Sequence, residues 1–486
     1  MSVPPPAASR LRSVIGNTGT LTGGRLMLAV LRFGATLLLL QRAGLDRFGE
    51  FALILSVVAI AEWLSDFGLS DMAVRQISMH PNRRRDILGA FAVSKAVQGL
   101  FAAAVLGSGL WLAGYAPQTV RAGWIAGLAV VFHSGVQIYR VEFRARQQMG
   151  REVGAEFLSA VFFVLAIWLA TSTDASLELL TLCYAASRAV NLVAAAGMAR
   201  AWPALGFGAS FRAELSVLTR ACLPLGLTGL MVSTYDAMEQ IALSQWSTAA
   251  EAGRYSFAMR IMMLALVVEQ ALATAVFPVL AAQWSKDRAA FVRTIQTVLN
   301  WGLLIGGALF CAIFAGAQGM VALIKHDPQG LGQVLQCLAW AIPARAAVSL
   351  VGPLLLISGQ LSRAVWIPAV VVVTKWLALV WLAPEGALGA AKAYLIAEVG
   401  VGLVLNLLFC QYASGIWLRW WVPLKIVLAA LAVAGAATAL GGSGSLLQGV
   451  LATAAFLVLS ALLGVIQLQQ IKALALAVLG GRHGRV

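Results

Sequence analysis

Long apolar segments recur along the whole chain, and they constrain its fold more than any other feature. Residues 51–60 and 369–373 are apolar apart from a single serine, and each lies inside a longer apolar stretch. A transmembrane helix needs about 20 mostly apolar residues, whereas strands of a membrane barrel alternate in polarity over about ten residues. The pattern therefore predicts an all-α polytopic membrane protein.

Fourteen segments have the length of a membrane-spanning helix. They lie approximately at residues 20–40, 51–70, 87–114, 122–139, 153–172, 177–199, 217–244, 254–282, 294–324, 332–357, 364–383, 388–410, 422–440 and 446–466. Most Lys and Arg outside these segments fall in alternate loops, as the positive-inside rule requires. We therefore predict fourteen transmembrane helices, with cytoplasmic tails at 1–19 and 467–486.

The composition excludes several classes of protein. Only 11% of the 486 residues are charged and 60% are hydrophobic, whereas a soluble protein has about 25% charged residues. The net charge of +15 resides in short loops, where it faces anionic lipid, so we predict no nucleic-acid partner. The five Cys and four His form no metal-binding motif. Without a phosphate-binding loop either, the sequence predicts no metal, no cofactor and no enzymatic activity.

Charged residues inside the predicted spans indicate where function resides. The basic ones include Arg25, Arg32, Lys95, Arg188, Arg260, Arg345, Lys375 and Lys392, and the acidic ones include Glu62, Asp66, Asp236, Glu239, Glu269 and Glu398. An ionisable group facing lipid costs at least about 3 kcal/mol. So many of them imply an interior lined by protein or water, as in a transporter.

Two interpretations of these charges stay open. Asp66 and Arg25 lie at a similar depth and could form a structural ion pair between the first two spans. Glu62 could pair with Arg32 in the same way, although these two residues are offset in depth. The alternative is that the arginines line a cavity.

The carboxylates Asp236, Glu239 and Glu269 have two interpretations of their own. They could couple transport to a cation or a proton, or they could simply pair with Arg260.

A weak internal repeat suggests how the spans are grouped. Gly49-Glu50-Phe51-Ala52 before the second span is echoed by Gly253-Arg254-Tyr255-Ser256 before the eighth. With six spans per half, both copies have the same orientation. This arrangement predicts an N-lobe at 20–200, a C-lobe at 217–410 and a two-helix appendage at 422–466.

The same motifs resemble a known family. Residues 45–52 (LDRFGEFA), 65–70 (SDFGLS) and 75–77 (RQI), with 252–258 (AGRYSFA), are similar to the polysaccharide-transport branch of the MOP exporter superfamily, which includes the Wzx-type flippases. The resemblance covers the helix layout of the whole chain. It implies two six-helix lobes arranged as a V, working by alternating access in the bacterial inner membrane.

The resemblance also implies a substrate. It would be an O-antigen or exopolysaccharide oligosaccharide on undecaprenyl diphosphate, moved from the cytoplasmic to the periplasmic leaflet, with membrane lipid, a polysaccharide polymerase and a chain-length regulator as candidate partners. We expect Arg25, Arg32 and Arg260 to bind the diphosphate, and Lys95, Arg188, Arg345 and Lys375 to add positive charge. The alternatives are a lipid II flippase and a cation-coupled exporter of small molecules or drugs. A non-transporting scaffold or a polymerase would be further possibilities.

Overall fold

The computed structural model confirms the all-α prediction. It describes residues 7–173, 175–199, 204–208, 211–284, 286–322, 330–349, 351–364, 366–415, 419–439 and 444–465. Within these ranges there are helices, turns and short loops but no strand. The side chains of Arg25 and Glu269 lie outside the described residues, as does the predicted tail at 467–486.

Eighteen α-helices make up the described chain. They are α1 (Ala7–Asp66), α2 (Leu69–Met79), α3 (Arg84–Leu112), α4 (Pro117–Ala145), α5 (Met149–Ala170), α6 (Leu177–Ala199), α7 (Phe211–Ala221), α8 (Leu223–Trp246), α9 (Ala249–Trp284), α10 (Arg288–Val321), α11 (Leu331–Ala339), α12 (Ala341–Val348), α13 (Val351–Ile357), α14 (Trp366–Leu382), α15 (Ala387–Leu395), α16 (Val404–Ser414), α17 (Trp421–Ala439) and α18 (Leu446–Leu462). A π-helix, Ile396–Leu403, joins α15 to α16.

Each of the fourteen predicted spans overlaps one or more of these helices. Among the described residues, ten helical stretches are long and apolar enough to cross a membrane, and Leu446–Leu462 is a shorter apolar helix. The first of the ten, Met27–Met79, contains the second predicted span and residues 27–40 of the first. The chain is a multi-pass membrane protein, and the number fourteen stays a prediction.

A glycine separates the first two spans within α1. Gly44 has φ 80° and ψ 176°, which are not helical values. Only glycine adopts such a conformation without a steric penalty, so the kink divides α1 into two arms. The first arm begins at Ala7, inside the stretch predicted as a cytoplasmic tail at 1–19.

Contacts between Cα atoms divide the chain into two units, Met1–Gly253 and Arg254–Val486. In the first unit, α1 packs on α3, α5 and α8, while α4 packs on α3 and α6. The division falls after α8, later than the predicted lobe boundary between 200 and 217, because α8 packs against α1. The predicted lobes therefore stay a prediction.

The second unit is built around α10. The helices α11, α12, α17 and α18 all pack on it. A Cβ atom added to Gly307 of α10 would lie 2.6 Å from the ring of Phe456 on α18. The predicted two-helix appendage at 422–466 is thus closely packed against its own unit.

Small residues bring α3 and α4 close together. A Cβ atom at Gly99 would lie 2.6 Å from the Ser134 hydroxyl oxygen, and one at Gly127 would lie 3.2 Å from the Ala103 side chain. Membrane helices associate through such small residues because lipid offers no hydrophobic driving force between helices. The glycines therefore hold α4, which carries several of the charged side chains described below, firmly in place.

The two glycines of the sequence repeat contact each other's segments reciprocally within the first unit. A Cβ atom at Gly49 would overlap the carbonyl oxygen of Ala249, and a Cβ atom at Gly253 would overlap that of Leu45. Leu45 and Ala249 are separated along the chain by the same offset as Gly49 and Gly253. This reciprocal contact supports the internal repeat that the sequence indicates.

We predict that Gly49→Ala lowers the stability of the protein by about 1–3 kcal/mol, because the added methyl group must displace backbone rather than a flexible side chain. The melting temperature of the purified protein measures the effect. Gly34→Ala is the matched control, since it lies on the same helix with no atom within 4 Å of the added Cβ. Melting of both variants at the wild-type temperature would contradict the close backbone contact at Gly49.

Candidate functional site

An ion pair between α1 and α6 forms the centre of a charged cluster in the first unit. Arg188 Nη2 donates to Glu62 Oε1 at 2.7 Å and to the Tyr184 hydroxyl, one turn earlier on α6, at 2.6 Å. The Glu62 and Arg188 side chains are only 19% and 15% exposed. Because both charges are largely removed from solvent, each one compensates the other.

A histidine from α4 completes the surroundings of Glu62. His133 Nδ1 lies 3.7 Å from Glu62 Oε1, and its Nε2 lies 3.0 Å from the side-chain nitrogen of Gln137. The imidazole is buried, and its Nδ1 has no hydrogen-bond partner among the described residues. Side chains from α1, α4 and α6 therefore converge on one carboxylate.

Arg32 on α1 lies at the exposed edge of this cluster. Its side chain is 59% exposed, and its guanidinium Nη2 lies 4.0 Å from Glu156 Oε2. Glu156 is also bonded to Arg140. The Arg32 guanidinium interacts electrostatically with Arg188 and Glu62. The guanidinium of Arg32 is thus less closely paired with a carboxylate than those of Arg140, Arg144 and Arg188.

Two further arginines join α4 to α5. Arg144 forms a bidentate pair with Glu152, with donor–acceptor distances of 3.0 and 2.7 Å. Arg140 bonds to Glu156 and lies 3.9 Å from Glu152. Bidentate arginine–carboxylate pairs fix geometry as well as charge. These contacts therefore hold the α4–α5 hairpin rigid beside the cluster.

A buried lysine holds the end of α1. Lys95 Nζ donates to Asp66 Oδ1 at 3.0 Å and to the Ser65 carbonyl at 2.9 Å, while the Ser70 hydroxyl donates to the same Asp66 oxygen. Lys95 is 0% exposed. Asp66 therefore forms an ion pair with Lys95, and the expected partner Arg25 lies outside the described side chains. In this conformation Lys95 presents no ammonium to a ligand.

The second unit contains a smaller charged group of its own. Arg345 Nη1 lies 3.2 Å from Glu398 Oε1 and 3.3 Å from the Tyr394 hydroxyl. Lys375 Nζ lies 5.3 Å from the centre of the Tyr394 ring, and the residue is 1% exposed. Glu398 lies in the π-helix, where an extra residue per turn redirects side chains and which occurs often at functional sites.

The remaining predicted residues are only partly described. On α8, Asp236 is exposed and Glu239 is 0% exposed, although they are three residues apart. Arg260 on α9 is partly buried. Arg25 and Glu269 lie outside the described side chains.

Sequence reasoning missed several members of the first cluster. Arg140, Arg144 and Glu152 were expected in a loop, yet α4 and α5 extend to include them. The paired spacings of four residues, Arg140 with Arg144 and Glu152 with Glu156, place each pair on one helix face. That charge pattern on either side of a short turn was the available signal.

The arrangement can bind an anion, but the described part of the chain offers no metal site. No group of three or more His, Cys, Asp or Glu side chains among the described residues could hold a metal ion. The carboxylates Glu62, Asp66, Glu152 and Glu156 are each paired with an arginine or a lysine. The exposed Arg32 side chain is therefore the group best placed to accept a ligand.

The fold is that of transporters of the MOP superfamily. The structure is similar to that of the lipid II flippase MurJ in an inward closed conformation, with a TM-score of 0.76, 12% identity, and 91% of this chain and 98% of that chain covered. It is also similar to an inward-facing multidrug resistance MATE family transporter of the MOP superfamily, with a TM-score of 0.60, 14% identity and coverage of 80% and 96%.

A MOP superfamily transporter from Pyrococcus furiosus, described as having a binding pocket of reverse polarity, aligns with a TM-score of 0.55, 15% identity and coverage of 82% and 95%. No curated protein matches the sequence significantly. The profile of the family described as polysaccharide biosynthesis protein matches residues 14–284, more than half of the chain. The chain belongs to this family, and the resemblance inferred from its sequence is confirmed.

Proposed function

We propose that this protein flips undecaprenyl-diphosphate-linked oligosaccharide repeat units, of O-antigen or exopolysaccharide, from the cytoplasmic to the periplasmic leaflet by alternating access. The observation that carries the proposal is the exposed guanidinium of Arg32 beside buried, already compensated ion pairs. The family match supports a role in polysaccharide biosynthesis, and the shared fold supports transport of a lipid-linked substrate.

The chemistry of the substrate explains why such an arginine is needed. A diphosphate carries about two negative charges, and transferring an unpaired charge into hydrocarbon costs many kcal/mol. A guanidinium stays charged and offers planar donors that match phosphate oxygens. An exposed arginine at the edge of the cluster can replace the water that the diphosphate loses on entering the protein.

The other cations have graded roles in this proposal. Arg25, Arg32 and Arg260 take the diphosphate, and Arg188 and Arg345 add positive potential while paired with Glu62 and Glu398. The buried Lys95 and Lys375 would contribute charge without direct contact. Asp236, Glu239 and Glu269 remain the candidates for coupling transport to a cation or a proton.

The proposed setting follows from the same reasoning. The protein would reside in the bacterial inner membrane with both termini cytoplasmic, because the basic loops alternate along the chain. It would act without a chemical step, alongside a polymerase and a chain-length regulator that use the exported units.

A second candidate is the flipping of lipid II, which the shared fold with a lipid II flippase favours. Both substrates carry a polyprenyl diphosphate, so Arg32 serves either one. Export of cationic drugs has less support, because the carboxylates of the first cluster are already paired with arginine or lysine.

Flipping in reconstituted vesicles tests the proposal. The purified protein is placed in liposomes with a fluorescent undecaprenyl-diphosphate oligosaccharide, and a membrane-impermeant quencher reports the fraction in each leaflet. We expect the protein to make nearly all of the probe accessible, whereas protein-free liposomes leave about half protected.

Parallel samples use lipid II and an undecaprenyl-monophosphate oligosaccharide. We expect the diphosphate-linked oligosaccharide to move faster than either, because it presents both the second phosphate and the proposed glycan. Faster movement of lipid II would favour the second candidate. Movement of none of these lipids would contradict the proposed function.

A further inference from the structure

A basic pocket lies at the end of the first unit where α4 stops and α3 and α5 begin. It has a volume of about 540 Å³ and is lined by four arginines and one carboxylate, namely Arg84, Arg85, Arg146, Arg151 and Glu142. We refer to these five residues as the arginine pocket. None of them belongs to the cluster around Glu62.

The charges of the arginine pocket do not balance. Glu142 is buried, and it accepts from Arg84 Nε at 3.1 Å and from Arg146 Nη2 at 2.8 Å. Among the described residues, Arg85 has no carboxylate partner, and Arg151 donates to the amide oxygen of Gln148 at 2.9 Å. One buried carboxylate thus orients two arginines while two others keep uncompensated charge.

Neighbouring contacts hold the wall of the pocket in position. Gly206 N donates to the Arg85 carbonyl at 2.8 Å, and Gly208 N donates to Asp86 Oδ1 at 3.2 Å. Both bonds tie the segment before α7 to the start of α3. The geometry is therefore fixed by backbone as well as by Glu142, which lowers the cost of ordering a bound anion.

We propose that the arginine pocket binds a phosphate group, carried either by a membrane lipid headgroup or by a soluble anion. Arginines arranged around a concave site match phosphate oxygens in geometry and charge. The loops that form the pocket belong to the basic, predicted cytoplasmic side of the chain, where anionic lipids and soluble phosphates both occur. This inference does not depend on which lipid the protein transports.

The test compares full-length wild-type protein with the double variant Arg85→Gln/Arg151→Gln. Arg85 and Arg151 are chosen because replacing them leaves the ion pairs of Glu142 intact. The first probe is inorganic diphosphate. It is added at increasing concentration to the protein in a neutral detergent, and the melting temperature is measured at each step. The second probe is anionic lipid. The protein is placed in nanodiscs of phosphatidylglycerol or of phosphatidylcholine, and native mass spectrometry counts the lipid molecules that stay bound to it. Arg75→Gln, an exposed arginine outside the pocket, is the control.

We expect the double variant to bind the effective probe about tenfold more weakly, since two charge-assisted contacts are lost, and Arg75→Gln to change binding by less than about twofold. A response to diphosphate assigns a soluble anion. Retention of phosphatidylglycerol that diphosphate does not displace assigns a lipid headgroup. Unchanged binding in the double variant, an equal loss in Arg75→Gln, or no binding of either probe by the wild type would overturn the inference.

Discussion

Cells that carry Arg32→Ala are expected to export no glycan, although the protein accumulates and inserts normally. The side chain is 59% exposed and lies 4.0 Å from its carboxylate partner, and an exposed pair of this kind stabilises a protein by less than about 1 kcal/mol. Removing it therefore affects ligand binding far more than folding. Surface glycan and membrane abundance, measured in the same cells, separate the two effects.

Two further variants make this prediction specific. Arg32→Lys should retain part of the activity, because the charge survives but the two-pronged donor geometry does not. Arg42→Ala is the matched control on the same helix, where the arginine is exposed and bonds to the Trp168 carbonyl at 3.3 Å. We expect it to export normally. Wild-type export by a stably inserted Arg32→Ala protein would exclude Arg32 from the substrate site.

Glu62→Gln is expected to lower the stability of the protein by about 3–5 kcal/mol, because it leaves the largely buried Arg188 without its counter-charge. Tyr184 and His133 contact the same carboxylate, so the loss extends over three helices. The melting temperature of the purified protein and its abundance in membranes should both fall.

The controls for Glu62 use a second ion pair and a second substitution. Glu178→Gln removes the same charge from the more exposed pair with Arg121, and we expect a loss of less than about 1 kcal/mol. Adding Arg188→Met to Glu62→Gln should restore much of the melting temperature, because no uncompensated charge is then left. Equal melting of the Glu62 and Glu178 variants would argue against a compensated buried pair.

Hydropathy predicted most of the fold but not the ends of its helices. Apolar segments of sufficient length must be helical in lipid, which is why each predicted span overlaps a helix. The pattern does not show where a helix stops, because α4 continues beyond the apolar stretch to Ala145 and α5 begins before it at Met149. The sequence also predicted a loop at 41–50 between the first two spans, whereas the structure has a single kink at Gly44 within α1.

The partners of the charged residues could be predicted only in part. Ion pairing of Glu62 and Asp66 followed from the cost of charges in a membrane only as one of two open interpretations. The identity of their partners could not be predicted, because Arg188 is 126 residues from Glu62 along the chain and Lys95 is 29 residues from Asp66. No local spacing rule links such distant positions. The sequence-based pairing of Glu62 with Arg32 therefore differs from the observed pairing with Arg188.

The ion pairs between α4 and α5 also fix the length of the turn that joins these two helices. Arg140 and Arg144 on one helix meet Glu156 and Glu152 on the other in mirror order about Gln148, and the turn contains Gln147 with a φ of 57°. One residue inserted in this turn would rotate α5 by about 100°, and both ion pairs would be lost together. Loops usually tolerate such insertions, but this one has a length set by the charges on either side of it.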